Sequence, residues 1–139
     1  MLVVLDSSVL VAGFRSRRGA SFRTLELLRD GRFRIAMSVA LALEYEAVLV
    51  RHANELDLSR TEATALVDFL CGIGRRQDVH FLWRPTLRDP HDEFVLELAV
   101  ASASQAIVTH NVRDFRGAAA FGVRVVTPAA FLRLIEGRS

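Results

Sequence analysis

Residues 1–14 read MLVVLDSSVLVAGF, and the sixth of them sets the problem. Leu2-Val3-Val4-Leu5 has the unbroken apolar character of a strand buried on both faces, and SVLVAGF behind it opens a helix. Asp6 stands at the junction. Burying a lone carboxylate costs several kcal/mol, so an acid here is solvated, hydrogen-bonded or bound to a cation. Which of these holds depends on whether other acids converge on the same spot.

The same strand-then-helix grammar repeats along the chain. SFRTLELLRDG (21–31) puts Leu25 and Leu28 on one helical face and ends on Gly31, a C-cap residue. FRIAM (33–37) is a second strand, after which Ser38 caps the long helix VALALEYEAVLVRHA. SRTEATALVDFLCGIG carries a capping-box pattern, Ser59 three residues before Glu62, and a glycine stop. VHFLW (79–83) reads as a third strand closed by Pro85, with Phe81 and Trp83 as core residues. DPHDEFVLELAVASASQ is a helix opened by acids, favourable beside its N-terminal dipole. AIVTH (106–110) and VRVVT (123–127) are the last strands, and Pro128 starts PAAFLRLIEG.

Strands alternating with helices imply right-handed βαβ units. The expectation is a three-layer α/β/α domain spanning residues 1–139, with a central, mainly parallel five-stranded sheet. In such sheets ligands gather outside the carboxyl ends of the strands, at the switch in strand order.

Composition narrows the chemistry. Half of the 139 residues are apolar, about a quarter are charged, and no apolar stretch approaches the roughly 20 needed to span a bilayer. The N-terminal run lacks a basic leader and is too short for a signal peptide, so the expected location is the cytoplasm. Cys71 is the sole cysteine, which excludes internal disulfides and thiolate clusters; its place at an apolar helix end predicts a buried, inert thiol. All 18 basic residues are arginine. With no lysine, P-loop and Schiff-base sites are excluded. A phosphoryl-transfer domain, such as a receiver or an aspartyl phosphatase, is a competing reading that the missing lysine argues against and that failure to label with a small phosphoryl donor would close. GIG (72–74) follows a helix rather than a strand and lacks the rest of a dinucleotide fingerprint.

The acids fall where this architecture puts a ligand. Asp6 follows the first strand, and Glu44 lies two turns into the helix after the second. Asp89 and Asp92 open the helix before the fourth strand, and Asp114 follows that strand in VTHNVRDF. Taken singly, each can be a cap, a dipole partner or a solvated side chain. Together they can share one rim, where converging carboxylates repel unless a cation neutralises them. Oxygen ligands select Mg²⁺ or Mn²⁺ over zinc, and such a site can activate water against a phosphodiester.

VVLDSSVLVAGF, MSVALALEYEAVL, RDPHDEFVLELAVASAS and AIVTHNVRDF resemble, in order, the motifs of the PIN-domain family, and within it bacterial VapC-like toxins of toxin–antitoxin pairs. The resemblance runs from Leu2 to about Leu134, and T-x-N-x-x-D-F is its most specific part. It implies a parallel PIN sheet, a metal-dependent endoribonuclease, a homodimer, and inhibition by a cognate antitoxin protein. The family's acidic quartet falls on Asp6, Glu44, Asp92 and Asp114, as catalytic residues and ligands of Mg²⁺ or Mn²⁺. Asp89 is the alternative third acid and otherwise supports it. Ser8 matches the hydroxyl after the first acid; Thr109 and Asn111 match positions that hold the fourth acid and a metal-bound water.

Arg15, Arg17 and Arg18, just past the first helix, and Arg113 in NVRDF are the candidate RNA-binding residues. His110 reads as an exposed loop residue, His91 as an improbable ligand, and His52 and His80 carry no signal. A non-catalytic RNA- or antitoxin-binding module and a DNA-directed nuclease are the other competing readings.

Overall fold

The computed structural model describes residues 1–79 and 90–137, excepting the side chains of residues 90 and 91. Five parallel strands form one sheet in the order β3-β2-β1-β4-β5. They are β1 (Leu2–Leu5), β2 (Arg34–Met37), β3 (Arg75–Arg76), β4 (Ala106–Val108) and β5 (Arg124–Val126). The helices are α1 (Ser7–Arg15), α2 (Ala20–Arg29), α3 (Val39–Arg51), α4 (Ala53–Leu56), α5 (Arg60–Ile73), α6 (Pro90–Ala101) and α7 (Pro128–Ile135).

The strand order reverses once. From β1 the chain moves outward through β2 to β3, then returns to lay β4 on the other side of β1 and continues to β5. Right-handed crossovers therefore place α1–α5 on one face and α6, with the 3₁₀ segment Val112–Phe121, on the other. The packing agrees: α1 lies on α2 and α3, α2 on α7 and α3 on α5, while α6 lies against β1, β2, β4 and the 3₁₀ segment. This is the expected three-layer arrangement.

Central-strand residues Val3, Val4, Leu5, Ile35, Ala36, Ile107 and Val108 are all buried, which is why these strands are continuously rather than alternately apolar. Phe33 and Phe131 add an edge-to-face pair at 4.9 Å between centroids. The expected caps form. Ser38 Oγ accepts from Leu41 N–H at 3.1 Å, Ser59 and Glu62 close a capping box, and Thr127 caps α7 ahead of Pro128. Gly31 takes φ 76° just past α2, the left-handed turn that glycine permits. Gly74 is small for another reason: a Cβ there would lie 2.5 Å from Met37 Cγ and 2.9 Å from Leu70 O.

Two expectations are corrected. The third strand is Arg75–Arg76, ahead of the apolar stretch at 79–83; Val79 is outside any strand, and His80, Phe81, Trp83 and Pro85 lie outside the described residues. Both arginines are exposed at the sheet edge, where charge discourages further strand pairing and no apolar pattern is needed. Cys71 is exposed rather than buried, because the core-facing stripe of α5 runs through Ala63, Val67 and Leu70 and leaves its neighbour outside.

Candidate active site

The reversal of strand order leaves a crevice above the carboxyl ends of β1 and β4, and Asp6 enters it. Register pairs Leu5 with Val108, so Asp6 and Thr109 leave the sheet side by side. Asp6 occupies the N-cap position of α1, yet its side chain makes no capping bond. Its Oδ2 instead accepts two hydroxyl hydrogen bonds, from Thr109 at 2.6 Å and from Ser8 at 2.8 Å. The hydroxyls are themselves held: His110 N–H donates to Ser8 Oγ at 3.2 Å and Asn111 N–H to Thr109 Oγ1 at 2.9 Å. Asp6 is 7% exposed, and this relay of backbone amides and hydroxyls replaces the water it has lost.

A cleft of about 540 Å³ opens over this carboxylate, lined by Asp6, Glu44, Asp92 and Asp114 together. Glu44 is half-buried on α3, Asp92 sits in the acid-tolerant first turn of α6, and Asp114 stands exposed in the first turn of the 3₁₀ segment. Tyr45, the residue after Glu44, is fully buried and donates its hydroxyl to the carbonyl of Leu5, the residue before Asp6. Burial, then the charge of Asp6, hold the Tyr45 phenol well above its ordinary range, so it stays a donor.

Among the described residues no three His, Cys, Asp or Glu side chains are gathered tightly enough to hold a metal ion. The chemistry of the donor set nevertheless suits a hard dication: four carboxylates line the cleft, its two imidazoles, His52 and His110, have a ring nitrogen on Glu55 and on Ser21, and the lone thiol, on α5, is not among the lining residues.

The PIN domain family matches residues 2–113, four-fifths of the sequence. The chain belongs to the PIN-domain family. No curated protein matches the sequence. Among solved structures the PIN fold resembles the crystal structure of VapBC2 from Rickettsia felis bound to a DNA fragment from their promoter. That likeness has a TM-score of 0.62 and 14% identity, covering 91% of this chain and 98% of that one. At this identity it speaks for the fold.

The family match in this PIN domain stops one residue short of Asp114, whose candidacy therefore rests on its place in the cleft. Ser8, Asn111 and Arg15 also line the cleft, and Thr109 lies fully buried beneath it, bonded to the first acid rather than the fourth. Arg17, Arg18 and Arg113 are exposed and do not line it, and Asp89 lies outside the described residues.

Of the charged and imidazole side chains lining the cleft of this PIN domain, three were not named as site candidates from the sequence: Arg51, His52 and His110. His110 Nε2 is 2.6 Å from the hydroxyl of buried Ser21, which fixes the ring at the rim. Arg51 follows Glu44 by seven residues on one face of α3, a spacing that could have drawn attention to it, and His52 is the C-cap residue just behind. His52 Nδ1 contacts Glu55, which also takes Arg15 at 3.0 Å. The His52 hydrogen bond first, and Arg15 second, keep the Glu55 carboxyl below its usual range.

Proposed function

We propose that this PIN domain is a metal-dependent endoribonuclease, the toxin of a toxin–antitoxin pair. The single observation carrying this reading is that Asp6, Glu44, Asp92 and Asp114, far apart in sequence, line one cleft at the switch point of the sheet. Those four carboxylates would hold Mg²⁺ or Mn²⁺, which when bound supplies charge neutralisation at the phosphodiester and acidifies a water. Asp89 remains available as a supporting acid. Ser8 and Thr109 fix the rotamer of Asp6, so that its carboxylate would take part in holding the ion without reorganising. Tyr45 ties α3, and with it Glu44, to the end of β1. No side chain acts as a nucleophile; a carboxylate of the quartet takes the proton of the attacking water.

The likeness to VapBC2 and the VapC-like motifs support a cognate antitoxin as partner. A homodimer is supported by Val39 and Leu43, one turn apart on α3 and exposed at 63% and 62%, with the exposed Phe94 of α6 sharing a hollow with Val39. No helix of the described residues is long and apolar enough to cross a membrane, in keeping with a cytoplasmic nuclease.

The test is cleavage of single-stranded and structured RNAs, with a DNA of the same sequence alongside, under Mg²⁺ or Mn²⁺. Asp6→Asn and Asp114→Asn are expected to lose at least 100-fold in rate, on the order of 3 kcal/mol in the barrier. Undiminished cleavage by either variant overturns the assignment. A second reading, a non-catalytic binding module, is favoured by the lack of a tight triad of acids among the described residues. RNA or antitoxin binding without turnover under either ion would select it.

A further inference from the structure

Resting on the nuclease reading, we propose that Arg51 anchors the phosphate of the RNA next to the scissile one. Glu44, Val48 and Arg51 line the same cleft at positions i, i+4 and i+7 of α3. Two helical turns, about 10.5 Å along the axis, separate Arg51 from Glu44. A guanidinium there meets a neighbouring phosphodiester rather than the reacting one, and its planar fork matches two phosphate oxygens.

Availability singles it out among the arginines nearby. Arg15 lines the cleft too, but its guanidinium is already on Glu55 at 3.0 Å, and Glu55 is also engaged by His52. Arg17, Arg18 and Arg113 are not in the cleft lining. Arg51 is exposed and forms no ion pair among the described residues. Four carboxylates repel a polyanion, so an open cation on the same wall gives the strand a reason to enter and a direction in which to lie.

The probe is a fluorescently labelled single-stranded RNA, its binding followed by anisotropy in EDTA across a sodium chloride series. Arg51→Ala is expected to weaken binding about 5- to 10-fold and to flatten the slope of log K against log salt by about 0.7, the value of one phosphate contact on a single strand. Arg51→Lys should restore the slope. With Mg²⁺ or Mn²⁺, Arg51→Ala should raise KM and leave kcat nearly unchanged, the sign of lost uniform binding. Unchanged affinity and slope in Arg51→Ala overturn the proposal. So does a slope that falls in Arg15→Ala but not in Arg51→Ala, since RNA would then displace Glu55 from Arg15. Absence of cleavage by the unaltered protein, with the Arg51-dependent slope intact, would sink the nuclease reading and leave the anchor standing.

Discussion

Thr109 donates its hydroxyl to Asp6 Oδ2 at 2.6 Å across 103 residues of sequence. The bond is dictated by strand register, because β1 and β4 pair Leu5 with Val108 and the next residue of each turns into the crevice. A hydroxyl bonded to a carboxylate contributes about 1.5–3 kcal/mol, and here it also selects the carboxylate's orientation. Thr109→Val keeps the shape and removes the donor. We expect it to lower Tm by several degrees and kcat by tenfold or more. A lowered Tm with kcat untouched would reduce Thr109 to a structural residue.

Tyr45 carries the second link in this frame. Its hydroxyl reaches the carbonyl of Leu5 from a fully buried ring, coupling the helix that bears Glu44 to the strand that delivers Asp6. Tyr45→Phe leaves a buried carbonyl without that donor, at a cost of about 1–3 kcal/mol. Chemical denaturation should show a lower midpoint at unchanged slope, and kcat should fall while KM moves little. An unshifted midpoint would mean that another donor takes over the carbonyl.

The sheet was legible where burial writes itself as apolar runs. Strands β1, β2, β4 and β5 lie within the stretches expected, and Ser38, Ser59 and Thr127 cap helices because their side chains satisfy first-turn amides. Strand β3 was not legible, since two exposed arginines at an edge carry no apolar signal. Nor was the 3₁₀ segment Val112–Phe121, whose glycine and alanines suit many conformations. In the cleft, the acids could be placed by their distance from strand ends. Arg51 was not placed, because an arginine on an amphipathic helix reads as a solvent face until the neighbouring wall is known; its i+7 spacing from Glu44 was the one signal to be had. Thr109 matched a position expected to serve Asp114, and only the β1–β4 register shows that its hydroxyl reaches Asp6.

The capping box of α5 gives a pH-dependent prediction. Ser59 N–H donates to Glu62 at 2.9 Å, and this backbone bond first, with the Ser59 side chain second, holds the Glu62 carboxyl below its usual range. A depressed folded-state value means the contribution is complete above the unfolded value of about 4.3 and is lost as pH falls through the folded one. Glu62→Ala should therefore lower Tm at pH 7, and the gap should close under acid conditions below pH 4. A gap independent of pH would show that the charged bond contributes nothing.

Ala103 offers the opposite sign, a substitution that stabilises. It ends α6 at φ 55°, with its N–H on Val100 O at 3.2 Å and Ser104 N–H on Ala99 O at 2.9 Å. This doubled bond pattern closes a helix with a left-handed residue, the position where glycine is favoured. A Cβ in that region costs about 1–2 kcal/mol, against which glycine loses about 0.5–1 kcal/mol through its freer unfolded chain. The difference favours Ala103→Gly by about 0.5–1 kcal/mol, a rise of about 2–4 °C in Tm for a chain of this size. The residue lies at the amino-terminal approach to β4, opposite the end that carries Thr109, so cleavage kinetics should not change. A lower Tm in the glycine variant would mean that the alanine methyl makes packing contacts worth more than the strain it imposes.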